Sequence, residues 1–144
     1  MPKLTEILAS SAVLAALRQA WQDSNPGLSG GREQGGFIAQ DTEGGLTVLR
    51  WPTGAGASIL VPARAGCKIH GMDIVATFHT HPNTGSDYLQ EPSETDRRAI
   101  RDDPDLKGKF YQGELVVAQG SLYLITPQGT VLELGNTATI LAVV

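Results

Sequence analysis

Helical spacing of apolar residues is confined to the start of the chain. Leu4, Ile7, Leu8, Leu14, Leu17 and Trp21 recur at intervals that put them on one face, which predicts an amphipathic helix packing on a sheet. The apolar run at residues 7–17 also has the length of a signal-peptide core, yet Glu6, Ser10 and Ser11 interrupt its ends and middle. It is too short to span a bilayer. The amphipathic helix is the reading the pattern favours.

Past a turn-rich segment at residues 23–31, the pattern changes to short apolar runs bounded by Gly and Pro, which predicts strands. Residues 35–39 and 46–51 read as a hairpin closed at 41–45. Residues 59–61, ended by Pro62, and 74–79 are further strands. The acid-led stretch 93–101 suits a short helix with Ser93 as N-cap, stopped by Pro104. Residues 114–118 and 121–126 pair across the tight turn Gln119-Gly120, and 130–134 form a last strand or hairpin. The apolar tail 137–144 either completes the core or forms a dimer edge. The expected fold class is α+β, a curved and mostly antiparallel sheet with flanking helices.

Length and composition narrow the class. A chain of 144 residues, 41% apolar and 18% charged, suits one compact domain spanning 1–144 and excludes disordered, coiled-coil and collagen-like classes. Net charge is −4, and acids and bases interleave over residues 96–103, so no basic stripe invites nucleic acid. No membrane partner is expected either. The single cysteine, Cys67, rules out an intrachain disulfide and a CxxC site, fits a reducing cytoplasm, and reads as a small packed side chain. Any imidazole chemistry must come from His70, His79 and His81, and His70, beside Gly71, reads as a surface residue.

The informative segment is Thr77-Phe78-His79-Thr80-His81-Pro82, followed by a polar loop and Ser93-Glu94-Thr95-Asp96. Side chains alternate along a strand, so His79 and His81 share a face and can offer two imidazoles to one ion. Catalytic zinc sites commonly take three protein ligands and leave a fourth position for water. Asp96 is a candidate third ligand, although Ser93-x-x-Asp96 is also a capping-box signature that helix stability alone explains. Asp87, in the intervening loop, competes for the same role.

Together these residues resemble the motif of the JAMM (JAB/MPN) metallopeptidases: an upstream Glu, then His-x-His-Pro, then Ser-x-x-Asp. Glu33-Gln34-Gly35-Gly36-Phe37-Ile38 is similar to the family's Glu-x-x-Gly-apolar opening and lies 46 residues before His79. The resemblance covers element order across residues 10–126. It implies a prokaryotic-type single-domain member with the MPN sheet and a layer arrangement like that of cytidine deaminases. It makes His79, His81 and Asp96 the ligands of Zn²⁺, Glu33 the general acid/base and Ser93 a donor to the developing oxyanion. One departure stands out: fourteen residues, 82–95, separate His81 from Asp96, where the family usually has about ten. The extra length makes the loop a candidate lid or substrate clamp, or a tolerated insertion.

The expected activity is therefore zinc-dependent hydrolysis of an amide or isopeptide bond in a protein or peptide, a ubiquitin-like or sulfur-carrier tail being the substrate the resemblance suggests. A homodimer is compatible with the apolar tail. Two alternatives stand beside the enzyme: a metal-free MPN-type interaction module, and a Ser93-based hydrolase, for which no G-x-S-x-G elbow is present.

Overall fold

A computed structural model describes residues 2–142. The N-terminal apolar pattern forms two helices, α1 (Leu4–Ala9) and α2 (Ser11–Asp23), in place of the single expected one. Ser10 makes the break: its backbone is extended and its side chain accepts the N–H of Val13, so it caps α2. Ile7, Val13 and Leu17 are fully buried, and the apolar run therefore packs as the helical reading requires.

The strands are β1 (Gly35–Gln40), β2 (Leu46–Arg50), β3 (Lys68–Ile69), β4 (Met72–His81), β5 (Glu114–Ala118), β6 (Ser121–Ile125) and β7 (Val131–Asn136). They form one open mixed sheet in the order β2-β1-β4-β5-β6-β7, with β3 paired to β4. All pairings are antiparallel except β4–β5, whose crossover carries α3 (Glu94–Arg101) and a 3₁₀ turn at Pro104–Leu106. A fourth helix, α4 (Thr137–Leu141), closes the described chain. The α+β class and the mostly antiparallel sheet are as expected.

Two local features differ from the sequence reading, and the surface placement of His70 agrees with it. Residues 59–61 join no strand, and Leu60 is left 88% exposed. The segment is bracketed by Pro52, Gly54, Gly56 and Pro62, and β1 and β4 already have their ladder partners. The tail forms a helix, with Leu141 buried in the core and Thr137 donating to the Ala118 carbonyl at 2.8 Å. Its core role extends to Leu141, while Val143 and Val144 lie outside the described residues. His70 and Gly71 form the two-residue turn between β3 and β4, both with positive φ, and His70 is exposed.

A register shift in β4 sorts the core. The β1–β4 pairing slips between Ile38 and Ala39, which pair with Ala76 and Ile74, so Val75 is an extra residue. Ala76 and Phe78 consequently pack with α1, α2 and α4 in one cluster. Ile74 joins Phe37, Trp51, Val116 and Ile100 in the other. The second face, covered by α3, the 3₁₀ turn and loops, carries Thr77, His79 and His81.

Candidate metal centre

β4 presents His79 and His81 on one face at its C-terminal end, as period two requires. Their Nε2 atoms face each other at 3.1 Å. Each ring is fixed from behind through Nδ1. His79 Nδ1 meets Glu114 Oε2 at 2.9 Å, and His81 Nδ1 meets the main-chain carbonyl of Gln90 at 3.0 Å. Glu114 reaches His79 because β5 lies parallel to β4 and pairs Glu114 with Thr77, placing both on the histidine face.

These partners decide the tautomers. A carbonyl and a carboxylate only accept, so both Nδ1 atoms carry a proton, and each ring, when it holds no second proton, turns a lone pair inward from Nε2. Asp96 adds a third electron-rich group, with Oδ2 3.2 Å from His81 Nε2 and Oδ1 3.6 Å from His79 Nε2. Such groups repel one another unless a cation lies among them. Tetrahedral zinc, with bonds of 2.0–2.1 Å, sets its ligand atoms about 3.4 Å apart, and the Nε2–Nε2 and His81 Nε2–Oδ2 separations, 3.1 and 3.2 Å, lie close to that value.

The first turn of α3 delivers Asp96. Ser93 Oγ accepts the Asp96 N–H at 3.0 Å and the Ser93 N–H returns a bond to Asp96 Oδ2 at 2.9 Å, a complete capping box. The capping box is thus formed, and it fixes the rotamer in which the Asp96 carboxylate faces the imidazoles. Asp87 lies on the exposed part of the loop and lines the cleft without approaching the pair as Asp96 does. Ser93 Oγ is an acceptor within its cap and makes no hydrogen bond to either histidine, so the Ser–His pair of a serine hydrolase is not formed among the described residues.

Glu33 arrives from the chain preceding β1. Its neighbour Gln34 is locked to β4 by two bonds with Thr80, at 3.0 and 2.9 Å, and the Glu33 backbone pairs with Ala55 and Gly54 on its other side. Its carboxylate is buried, with no hydrogen bond from protein among the described residues, and one of its oxygens lies within 4.8 Å of ligand atoms of His79 and His81. The Glu33-His79-His81 cluster could hold a metal ion.

The electrostatics separate the two carboxylates. Burial raises the pKa of Glu33 from 4.5 to about 7, against the pull of His79 and His81 and with the help of Asp96 and Glu114. Burial acts the same way on Asp96, but without a metal, hydrogen bonds from Nε2–H groups of the two imidazoles and from the Ser93 amide hold it well below the usual carboxylate range. For His79, burial opposes the charge, yet Glu114 and Asp96 outweigh it and keep the pKa well above the ordinary histidine value. A proton and a metal ion therefore compete for the same place.

The longer loop is anchored as well as exposed. Asn83, buried, accepts from the Gly31 N–H at 2.8 Å and donates to the carbonyls of Gly31 and Gly56 at 3.1 and 2.9 Å. Its own carbonyl takes a bond from the Gln90 side chain, whose Oε1 accepts the Gln119 N–H. Glu114 and Gln90 were not identified from the sequence. A Glu opening an apolar run reads as a solvated strand end, and Gln90 acts on His81 through its main chain, which leaves no side-chain signature. No family model, curated protein or solved structure matches this chain. No described helix is long and apolar enough to cross a membrane.

Proposed function

We infer that the protein is a zinc-dependent hydrolase of amide or isopeptide bonds, of the JAMM (JAB/MPN) kind that its motif resembles. The observation that carries this reading is the convergence of two Nε2 lone pairs and the Asp96 carboxylate on one point, with both Nδ1 protons already committed to Glu114 and Gln90. His79, His81 and Asp96 hold the metal. When bound, zinc supplies Lewis-acid polarisation of the scissile carbonyl and lowers the pKa of a coordinated water to about 7.

The chain's own residues do the rest. Glu33, with a pKa near 7, accepts the proton of the attacking water as its carboxylate and returns it from its carboxyl to the leaving amine. Ser93, whose Oγ lone pair caps α3, keeps its O–H to donate to the oxyanion that develops on the carbonyl oxygen. Glu114 and Gln90 hold the rings in the tautomers that coordination needs. The substrate class is a protein or peptide, with ubiquitin-like C-terminal tails first to be tried, and the setting is the cytoplasm.

The test is metal content followed by turnover. Protein purified without added zinc should carry about one zinc per chain by native mass spectrometry. It should cleave a member of a panel of peptide and ubiquitin-like conjugates, lose that activity to a strong chelator and regain it with zinc. A chain that takes up no metal even on reconstitution is instead a metal-free interaction module. Activity that survives chelation overturns the zinc mechanism.

A further inference from the structure

The two imidazoles are backed by different kinds of structure. Glu114, behind His79, stands on β5 in the interior of the sheet. The acceptor behind His81 is a main-chain carbonyl, that of Gln90, in the long loop between β4 and α3. A loop carbonyl orients an imidazole only as firmly as the loop itself is held. Whatever fixes Gln90 therefore bears on the metal centre.

The start of the loop is tied down by its backbone and by Asn83. The Gly27 N–H donates to the Pro82 carbonyl at 3.0 Å, and the N–H groups of Thr84 and Gly85 donate to the carbonyls of Gly27 and Leu28, both at 2.8 Å. Residues 86–89 make one hydrogen bond among the described residues, from the Tyr88 N–H to the Gly85 carbonyl at 3.0 Å. At Gln90 a side chain takes over. Its amide donates to the Asn83 carbonyl, and its Oε1 accepts the N–H of Gln119, in the turn between β5 and β6, at 3.2 Å. Gln90 is thus fastened to the start of its own loop and to the end of a sheet strand, while its carbonyl accepts from His81 Nδ1 at 3.0 Å. An amide brings a donor and an acceptor to one end of a side chain, whereas an ionised Glu only accepts and Asn is a methylene shorter.

We propose that Gln90 is a positioning residue for the metal centre: its side chain, by bridging Asn83 and Gln119, sets the loop carbonyl against His81 Nδ1. The long span between His81 and Asp96 then orients a ligand as well as walling the cleft. The proposal rests on the zinc reading and assigns a metal-directed role to a side chain that touches neither the ion nor its ligands.

The test measures zinc affinity by chelator competition in the full chain, for wild type, Gln90→Ala, Gln90→Glu and Ser86→Ala, the last at an exposed position of the same loop outside these bonds. Gln90→Ala should weaken zinc binding by about tenfold or more. Gln90→Glu, which keeps the bond from Gln119 and gives up the one to Asn83, should lose less, and Ser86→Ala should match wild type. Nitrogen–proton correlation spectra of the zinc-loaded imidazoles supply the readout that a merely structural role would not move. The His81 Nδ1–H resonance should be sharp and downfield in wild type, and should move upfield and broaden by exchange with water in Gln90→Ala, while that of His79, held by Glu114, stays in place. If Gln90→Ala does not fold, the nearly isosteric Gln90→Glu carries the test. Unchanged affinity and an unchanged His81 resonance in the Gln90 variants refute the positioning role and leave the zinc reading standing. Lost affinity with both histidine resonances disturbed alike reports general loosening and refutes it too. A wild type that takes up no zinc overturns both.

Discussion

Asp96 and Glu33 offer the same functional group to the same two imidazoles, from different regions of the chain. Asp96 stands in the first turn of α3, where a capping box holds its carboxylate beside both Nε2 atoms. Glu33 stands in the segment leading to β1, buried with its carboxylate unbonded among the described residues. One is held as an anion and the other is poised to exchange a proton near neutrality. Under the proposed function, two like groups with pKa values driven apart by their surroundings divide into ligand and acid/base. Hydrogen bonds to the charged form make the first, and desolvation makes the second.

The sharpest way to break this comparison is to remove each carboxylate in turn. Asp96→Ala, like His79→Ala, should reduce retained zinc to background by native mass spectrometry. Zinc that persists in the Asp96 variant would pass the third-ligand role to Glu33 or Asp87. Glu33→Gln should keep its zinc while turnover falls by about 10²- to 10⁴-fold. A parallel loss of metal would place Glu33 among the ligands.

Glu114→Gln keeps an acceptor for His79 Nδ1 but removes the negative charge behind it. Zinc affinity should fall by about tenfold or more in a competitive chelator titration, and unchanged affinity would show that the charge contributes nothing.

The smallest effect concerns stability. Glu33 binds its proton more tightly folded than unfolded, so its contribution is full below pH 4.5 and is lost as pH rises through about 7. Metal-free wild type should therefore lose roughly 2 kcal/mol relative to Glu33→Gln between pH 5 and 8 in urea melts. Asp96 works in the opposite sense: its lowered pKa contributes stability above its unfolded value that is lost on acidification. Equal pH profiles for wild type and Glu33→Gln would remove the physical basis for their different roles.

Much of the site could be read from the chain because its signals are local. His79 and His81 follow from the period of a strand, and Ser93-x-x-Asp96 from the geometry of a helix start. The strand runs at 35–39, 46–51, 74–79, 114–118 and 121–126 were legible for the same reason. What escaped depends on contacts between distant segments. The slip at Val75 is a property of the β1–β4 pairing, and Glu114 matters only because β5 runs parallel to β4. Residues 59–61 have strand-like composition, but Ile59 and Val61 pack against the second core cluster instead of joining the sheet. The interruption at Ser10 was visible as polar residues within an apolar run, yet the helical spacing on either side concealed that it ends one helix and starts another.

Asn83 gives the cleft a cooperative character. Its side-chain amide bonds Gly31 and Gly56, and its carbonyl takes the Gln90 side chain, so three loops share one knot. Their amide hydrogens should exchange as a single opening unit, and a substrate that stills one loop will slow exchange in the other two.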